Sequence, residues 1–350
     1  MTIVQGKGTL PRDKSGRNIH YDNASLSNYK RVEKGDYIIH LRSFEGGLEM
    51  AHETGIVSPA YTILRCSKPH SSLFYEAYFH TDEFINHVLS KAVEGIRDGR
   101  QISYDAFKWL GIPYCAAAEQ EKISALFDML NRRIETQEQI VNALKKYKRG
   151  LLHEILCEKI KVTKSAWDIH KIGDYLSPKN IKQLPTPDAP LMAFTATGGV
   201  CDKGERYDRA FLVKDASTKL YKRTDLNDFI YSSNNLDVGS IGLNLYGSAV
   251  ISDVYEIFSI SGADPWFISE AIQQKSVLHR ILKYRQGCLY GQYRIYADDF
   301  LEVPIRVPDL ETQKQIGTIF SGIEYRIKSE QTLLDYLEDA KKIFLQQLFI

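Results

Sequence analysis

The sequence predicts an α+β protein: two α/β domains in a pseudo-twofold repeat, joined by two long helices that form an antiparallel coiled coil. Three observations predict it. Segments recur after about 193 residues, two heptad stripes stand at that same offset, and the short strands and helices ahead of each stripe follow one order. A length of 350 residues with 43% hydrophobic content is enough for two cores of ordinary size.

The repeat is clearest where Gln120, Ile123 and Phe127 fall on Gln313, Ile316 and Phe320. Just upstream Asp105 and Phe107 fall on Asp298 and Phe300. Farther back, Tyr29-Lys30-Arg31 matches Tyr221-Lys222-Arg223, and Gly35-Asp36-Tyr37-Ile38 matches Asn227-Asp228-Phe229-Ile230. The chain accordingly reads as a first domain over 1–114, a first long helix over 115–158, a second domain over 159–307 and a second long helix over 308–350. The second domain opens with a segment, Ser165 to about Ala193, that has no counterpart ahead of Met1. Part of the first domain's framework is therefore expected to be absent.

In the first helix the spacing of four and three picks out Ile123, Phe127, Leu130, Ile134, Gln137, Val141, Leu144, Lys148, Leu151 and Ile155. The second helix answers with Ile316, Phe320, Ile323, Ile327, Glu330, Leu334, Leu337, Lys341, Phe344 and Leu348. A single globular core rarely holds one heptad phase for so long, so the stripes predict a coiled coil rather than two ordinary core helices. A pseudo-twofold demands antiparallel pairing, and the polar seam positions then select a register. Lys148 is expected opposite Glu330 and Gln137 opposite Lys341, with Leu130, Ile134, Val141, Leu144, Leu151 and Ile155 meeting Leu348, Phe344, Leu337, Leu334, Ile327 and Ile323.

Ahead of the helices, Asp36–Leu41, Tyr61–Leu64, Asp228–Tyr231 and Val254–Ile260 read as short strands, with helices expected around 73–93 and 266–284. No apolar run approaches the roughly 20 residues of a membrane span, and the start lacks a signal-peptide core, so a cytoplasmic location is expected. Five scattered cysteines form no C-x-x-C pair and are expected to be buried thiols rather than a disulfide or zinc framework.

A net charge of +1 gives the whole molecule no basic field, so any contact with nucleic acid has to be local. The strongest local signal is Arg280, Lys283, Tyr284, Arg285, Gln286, Tyr290, Gln292, Tyr293 and Arg294. Basic side chains neutralise phosphates, arginine and glutamine pair bidentately with guanine and adenine, and tyrosine packs on sugar. At the matching place in the first copy stand Arg97, Arg100 and Gln101. Early loops add Lys7, Arg12 and Arg17 in one copy and Thr197, Lys203 and Arg206 in the other. Lys30-Arg31 and Lys222-Arg223 recur at equivalent sites, as sequence-independent phosphate contacts would, although a repeated surface turn predicts the same recurrence. Motifs for chemistry are missing: no phosphate loop, no metal-ligand spacing, no adenine-methylation motif beyond the string Asp264-Pro265-Trp266, which reads as a helix start.

The run Asp298–Pro308 leading into Glu311–Ile316 and a long helix, its weaker copy from Asp105 to Ile123, and the opening Trp167–Asp174 together resemble the specificity subunit of type I restriction-modification systems. The resemblance covers nearly the whole chain. It implies that each domain is a target-recognition domain reading one half of an interrupted duplex DNA site and that the helices set the spacing. It also implies that two methyltransferase subunits dock here, with two restriction subunits as a further option. S-adenosylmethionine, ATP and magnesium would act in those partners, with no cofactor and no catalytic residue in this chain. A protein scaffold that binds no DNA, the specificity subunit of another multi-subunit restriction system, and a two-domain nuclease or methyltransferase remain as alternatives.

Overall fold

The computed structural model describes residues 1–11, 23–39, 47–95, 101–196, 198–202, 219–234, 236, 240–289 and 292–349. Backbone contacts divide the chain into unit 1, Met1–Val141 with Glu330–Ile350, and unit 2, Asn142–Ser329.

Unit 1 begins with the hairpin β1 (Thr2–Val4) and β2 (Gly8–Leu10). Strand β3 (Lys30–Val32) pairs with β6 (Gly55–Val57), and β4 (Tyr37–Ile39) lies between β5 (Leu48–Met50) and β7 (Thr62–Leu64). Helix α1 (Ser72–Phe79), the hairpin β8 (Val93–Glu94) and β9 (Gln101–Ile102), and the short α2 (Tyr104–Phe107) lead into α3 (Ala117–Leu156). The core gathers Tyr37, Leu48, Phe74, Tyr78, Phe79 and Phe84 with Phe127 of α3 and with Phe349 near the C-terminus.

Unit 2 repeats this design and adds to it. Ahead of the common elements come β10 (Asp168–Lys171), β11 (Leu176–Pro178) and β12 (Lys182–Gln183). The hairpin β13 (Ala193–Thr195) and β14 (Gly199–Cys201) matches β1 and β2. Strands β15 (Tyr221–Thr224), β16 (Phe229–Ser232), β17 (Ile241–Leu243), β18 (Ala249–Ile251) and β19 (Tyr255–Ile260) match β3 to β7 in pairing and register. Thus Tyr37 lies across from Met50 and Leu64 as Phe229 lies across from Leu243 and Phe258. Helices α4 (Pro265–Ile272) and α5 (Lys275–Ile281), the hairpin β20 (Gln286–Leu289) and β21 (Gln292–Arg294), α6 (Ala297–Leu301) and β22 (Pro304–Val307) precede α7 (Leu310–Leu348).

The turns repeat down to single hydrogen bonds. The Glu33 amide donates to the Asp36 carboxylate and the Asp225 amide to that of Asp228, each at a turn whose third residue has positive φ, Gly35 (92°) and Asn227 (66°). Glycine and asparagine are the residues that adopt this conformation at least cost. The four expected strands each begin one residue later than expected, β4 and β16 because Asp36 and Asp228 serve these turns, and residues 40 and 41 of the first lie outside the described residues. The two expected helices are interrupted. Thr81 donates to the Tyr78 carbonyl and accepts from the Phe84 amide, ending α1, while Gln273 folds back onto Ser269 at the end of α4.

Both long helices form, over 40 and 39 residues, and run antiparallel within each unit. In unit 1 Phe127 stacks on Phe349 and Gln137 meets Glu330; in unit 2 Lys148 meets Glu324 while Leu151 and Ile155 share a core with Ile316 and Phe320. The seam positions Leu130, Ile134, Gln137, Val141, Leu144, Lys148, Leu151, Ile323, Ile327, Glu330, Leu334, Leu337, Lys341 and Phe344 are all buried or half-buried. Leu348 is exposed and Phe349 is buried in its place.

The expected register is overturned. Gln137, not Lys148, lies at Glu330 and donates to both its carboxylate and its backbone carbonyl. Lys148 lies instead against Glu324, six residues before the expected partner. The expectation failed because it allowed the seam charges to find partners only on the facing helix. Lys148 is paired by Glu270 of α4 at 2.6 Å as well as by Glu324 at 2.9 Å, and Lys341 lies in unit 1 beside a cavity of about 660 Å³, with no ion pair among the described residues. The thiols also depart from expectation: Cys66 and Cys157 are exposed, Cys115 and Cys201 half-buried. Among the described residues, no helix is long and apolar enough to cross a membrane.

Candidate nucleic-acid interface

The two strongest candidate loops fall on equivalent hairpins. β8 and β9 in unit 1 correspond to β20 and β21 in unit 2, each lying between the helical stretch after the sheet and the short helix that carries Asp105 and Phe107 or Asp298 and Phe300. The unit 2 hairpin is anchored at its base. Tyr231 donates its hydroxyl to the Ile295 carbonyl, and the Ile295 amide donates to the Ser233 carbonyl.

The side chains in and just before this hairpin are largely exposed, and several are tethered as well. Lys283, Tyr284, Gln286, Tyr293 and Arg294 are exposed. The Arg285 guanidinium lies 5.6 Å from the centre of the Tyr293 ring, a cation–π contact worth about 0.5–1 kcal/mol at an exposed site, which restricts the arginine before any ligand arrives. Gln286 donates to Asp299 at 2.6 Å, and Arg294 is held by Glu256 at 3.3 Å and over the Tyr296 ring at 5.0 Å. Arg280 donates to the Pro304 carbonyl at 2.9 Å. It therefore braces the end of α5 against β22 rather than standing free. Tyr290 lies outside the described residues, as do the side chain of Gln292, Arg97 and Arg100, and the side chain of Gln101.

Lys7 is exposed in the turn between β1 and β2. That turn is built on a buried carboxylate: the amides of Gly6 and Gly8 donate to Glu49, which His80 also contacts. Burial pushes the Glu49 carboxyl up, but the His80 contact and the two amides outweigh it, and its pKa lies below the ordinary value. His80 in turn is raised, because Glu49 outweighs the burial that opposes its charge. Gly8 has φ 68°, and a Cβ there would lie 2.4 Å from the Met50 carbonyl oxygen, so only glycine fits. Arg12, Arg17, Thr197, Lys203 and Arg206 lie outside the described residues.

The recurring pair Lys30 and Lys222 has a structural role. Lys30 donates to the Tyr61 carbonyl and Lys222 to the Tyr255 carbonyl, each at 2.8 Å, so equivalent lysines tie β3 to the start of β7 and β15 to the start of β19. Lys222 is only 8% exposed and is also paired with Glu256 at 2.9 Å. Its assignment as a phosphate contact is therefore withdrawn, since reaching a phosphate would break a buried ion pair. Arg31 is exposed beside Glu33, and Arg223 is tied to Asp225 at 3.1 Å. Glu256, which fixes both Lys222 and Arg294, was not among the sequence candidates. Its partners lie more than thirty residues away on either side, and no local pattern marks it.

The fold was compared with those of known proteins. The S subunit of a type I restriction-modification system from M. genitalium superposes with a TM-score of 0.64 over 92% of this chain and 84% of its own, at 14% identity. A chain from work on complex assembly and conformational transition of the type I R-M system gives 0.50 over 91% and 83%, at 12% identity. No protein-family model matches the sequence, and no curated protein matches it. The likeness is one of fold: two α/β units and a pair of long helices, as in type I specificity subunits.

Proposed function

We propose that this chain is the DNA-reading specificity subunit of a type I restriction-modification complex. Each unit reads one half of a bipartite duplex target, and the long helices set the spacing and dock two methyltransferase subunits. The observation that carries this reading is the S-subunit fold with an equivalent hairpin in each unit, the unit 2 hairpin bearing exposed basic, amide and aromatic side chains. Lys283 supplies charge for phosphates, Arg285 and Gln286 reach for base edges, and Tyr284 and Tyr293 pack on sugars. With a near-neutral chain the attraction is local, which favours discrimination over non-specific binding. Methyl transfer with S-adenosylmethionine, and any ATP- and magnesium-dependent cleavage, belong to the partner subunits.

The test is binding of the chain, co-purified with its methyltransferase partners, to duplexes carrying the sites methylated in the host, over a range of salt. Lys283→Ala is expected to reduce the salt slope by about one unit, and Arg285→Ala to cost about 1–3 kcal/mol of discrimination at one base pair. Isotherms unchanged at every salt concentration for both variants would remove this hairpin from the interface. Failure of any methyltransferase to co-purify would count against the whole assignment.

A further inference from the structure

Gln286 is exposed at the start of β20, and its side-chain amide donates to Asp299 of α6 at 2.6 Å. A carboxylate offers only acceptors, so the amide nitrogen has to face Asp299 and the carbonyl oxygen is left for another partner. The flip of the amide is thereby fixed before any ligand arrives. Both ends of the tether stand on the core. Asp299 is half-buried and precedes Phe300, which is fully buried and stacks on Tyr231 at 4.5 Å. Gln286 lies across from Arg294 in β21, beside Ile295, whose carbonyl accepts from the Tyr231 hydroxyl.

Unit 1 carries a different pair at the same two places. Counting back from Phe107 and Phe300, Ala106 stands where Asp299 stands, and Gln101 where Arg294 stands. The residue across from Gln101 in β8 is Glu94, exposed as Gln286 is. An amide is thus matched with a carboxylate in one unit, and a carboxylate with alanine in the other. Two carboxylates so placed would repel each other, so the tethering residue changes together with the residue it serves. Contacts that build the framework recur instead, as the lysines Lys30 and Lys222 do. A contact that chooses a base is free to differ between units.

We infer that Gln286 and Asp299 form a base-selecting pair: Gln286 reads adenine in the major groove of duplex DNA, and Asp299 is the residue that positions it. With its nitrogen held, the amide presents its carbonyl oxygen and its remaining N–H. Adenine displays an N6 donor beside the N7 acceptor, which this amide complements. Guanine displays two acceptors, thymine an acceptor and a methyl group, and cytosine a donor without N7. An amide free to turn over would also offer its NH2 to guanine O6 or thymine O4, and the tether discriminates by removing that alternative. The inference rests on the DNA-reading role proposed above for the hairpin.

The full chain, with the methyltransferase subunits that co-purify with it, is equilibrated with a pool of randomised duplexes, and the bound fraction is sequenced. Wild type is expected to require adenine at one position of one half-site. Gln286→Ala should cut that preference about tenfold, equivalent to about 1.4 kcal/mol, at that position alone. Asp299→Asn keeps the size of the side chain but lets either end of the Gln286 amide approach it. It should relax the same position toward guanine and thymine and leave the others unchanged, whereas an aspartate of merely structural importance would weaken all positions alike. Installing the unit 1 pair, Gln286→Glu with Asp299→Ala, leaves only acceptors and should move the preference from adenine to cytosine. The pair is overturned if Gln286→Ala alters no position, if the position it alters prefers a base other than adenine, or if the double variant still selects adenine. Wild-type selectivity in Asp299→Asn would overturn the positioning role. If the wild-type complex enriches no sequence at all, the DNA-reading proposal falls and this inference with it, whereas enrichment that neither single substitution changes sinks the inference alone.

Discussion

Gly317 on α7 faces Asp264, the residue that caps α4 by accepting from the Phe267 amide at 2.9 Å. A Cβ at position 317 would lie 1.9 Å from the Asp264 carboxylate oxygen. In unit 1 the equivalent positions are Ser124 and Ser71, whose hydroxyls are hydrogen-bonded at 2.5 Å. One junction is built as aspartate against glycine and the other as serine against serine. Gly317→Ser is therefore expected to cost about 1–3 kcal/mol through overpacking, and adding Asp264→Ser should recover most of it by recreating the unit 1 pair. Additive losses in thermal unfolding would contradict this account. A second residue-scale prediction concerns pH. His80 is raised above its ordinary 6.5 by Glu49, so its contribution is fully present below about pH 6.5 and is lost as pH rises through the raised value. Glu49 is lowered, so its contribution is lost only as pH falls through that depressed value. The turn of β1 and β2 is held tightest between the two limits. Thermal melts of His80→Gln should lack the part of the alkaline decline that wild type owes to His80, and identical pH profiles for the two proteins would refute the role given to it.

At the scale of elements, the long helices reuse one seam with different partners in each unit. Lys148 has Glu270 and Glu324; the equivalents of those residues around Lys341 are Ala77 and Asn131. Lys148 is accordingly raised in pKa, the two glutamates outweighing its burial, while Lys341 is lowered by burial. Lys148→Glu would set a third carboxylate beside two in a largely buried site and is expected to cost about 3 kcal/mol or more. Glu324→Lys should restore part of that loss. Glu330→Lys should restore none, because Glu330 belongs to Gln137. Recovery by Glu330→Lys instead would reinstate the register expected from sequence. Conversely, Asn131→Glu offers Lys341 a carboxylate where Lys148 has one and should add about 0.5 kcal/mol, read as a rise in melting temperature that salt diminishes.

At the scale of the molecule, each unit contains its own sheets, core and hairpin, with residues 160–305 lying wholly inside unit 2. If the units read DNA independently, exchanging 160–305 for the same region of a relative should change one half of the methylated target and leave the other intact. Methylome sequencing of a host carrying the chimaera checks this, and alteration of both halves would refute modular reading. The exchange also moves Asp168–Gln183 along with β15, β19 and the first half of β22, while Arg306 and Val307, which pair with Ile169 and Asp168, stay behind.

The chain's local patterns determined much of this. The repeat, the heptad stripes, the strands at Tyr37–Ile39 and Phe229–Ser232, and the helix start at Asp264-Pro265 were legible because periodicity and capping chemistry act over a few residues along the chain. The equivalence of the two hairpins followed from the repeat for the same reason. What only the tertiary structure decided depended on residues far apart in sequence. The register turned on Glu270, which comes from neither long helix, and the burial of Lys222 on Glu256, thirty-four positions away. That β15 and β19 each gain a further neighbour, β12 and β11, was likewise decided between residues some forty to eighty positions apart. A charged side chain carries no mark in the sequence of whether it will be solvated or paired. That is settled by whichever element packs against it, because the cost of burying an unpaired charge exceeds any local preference.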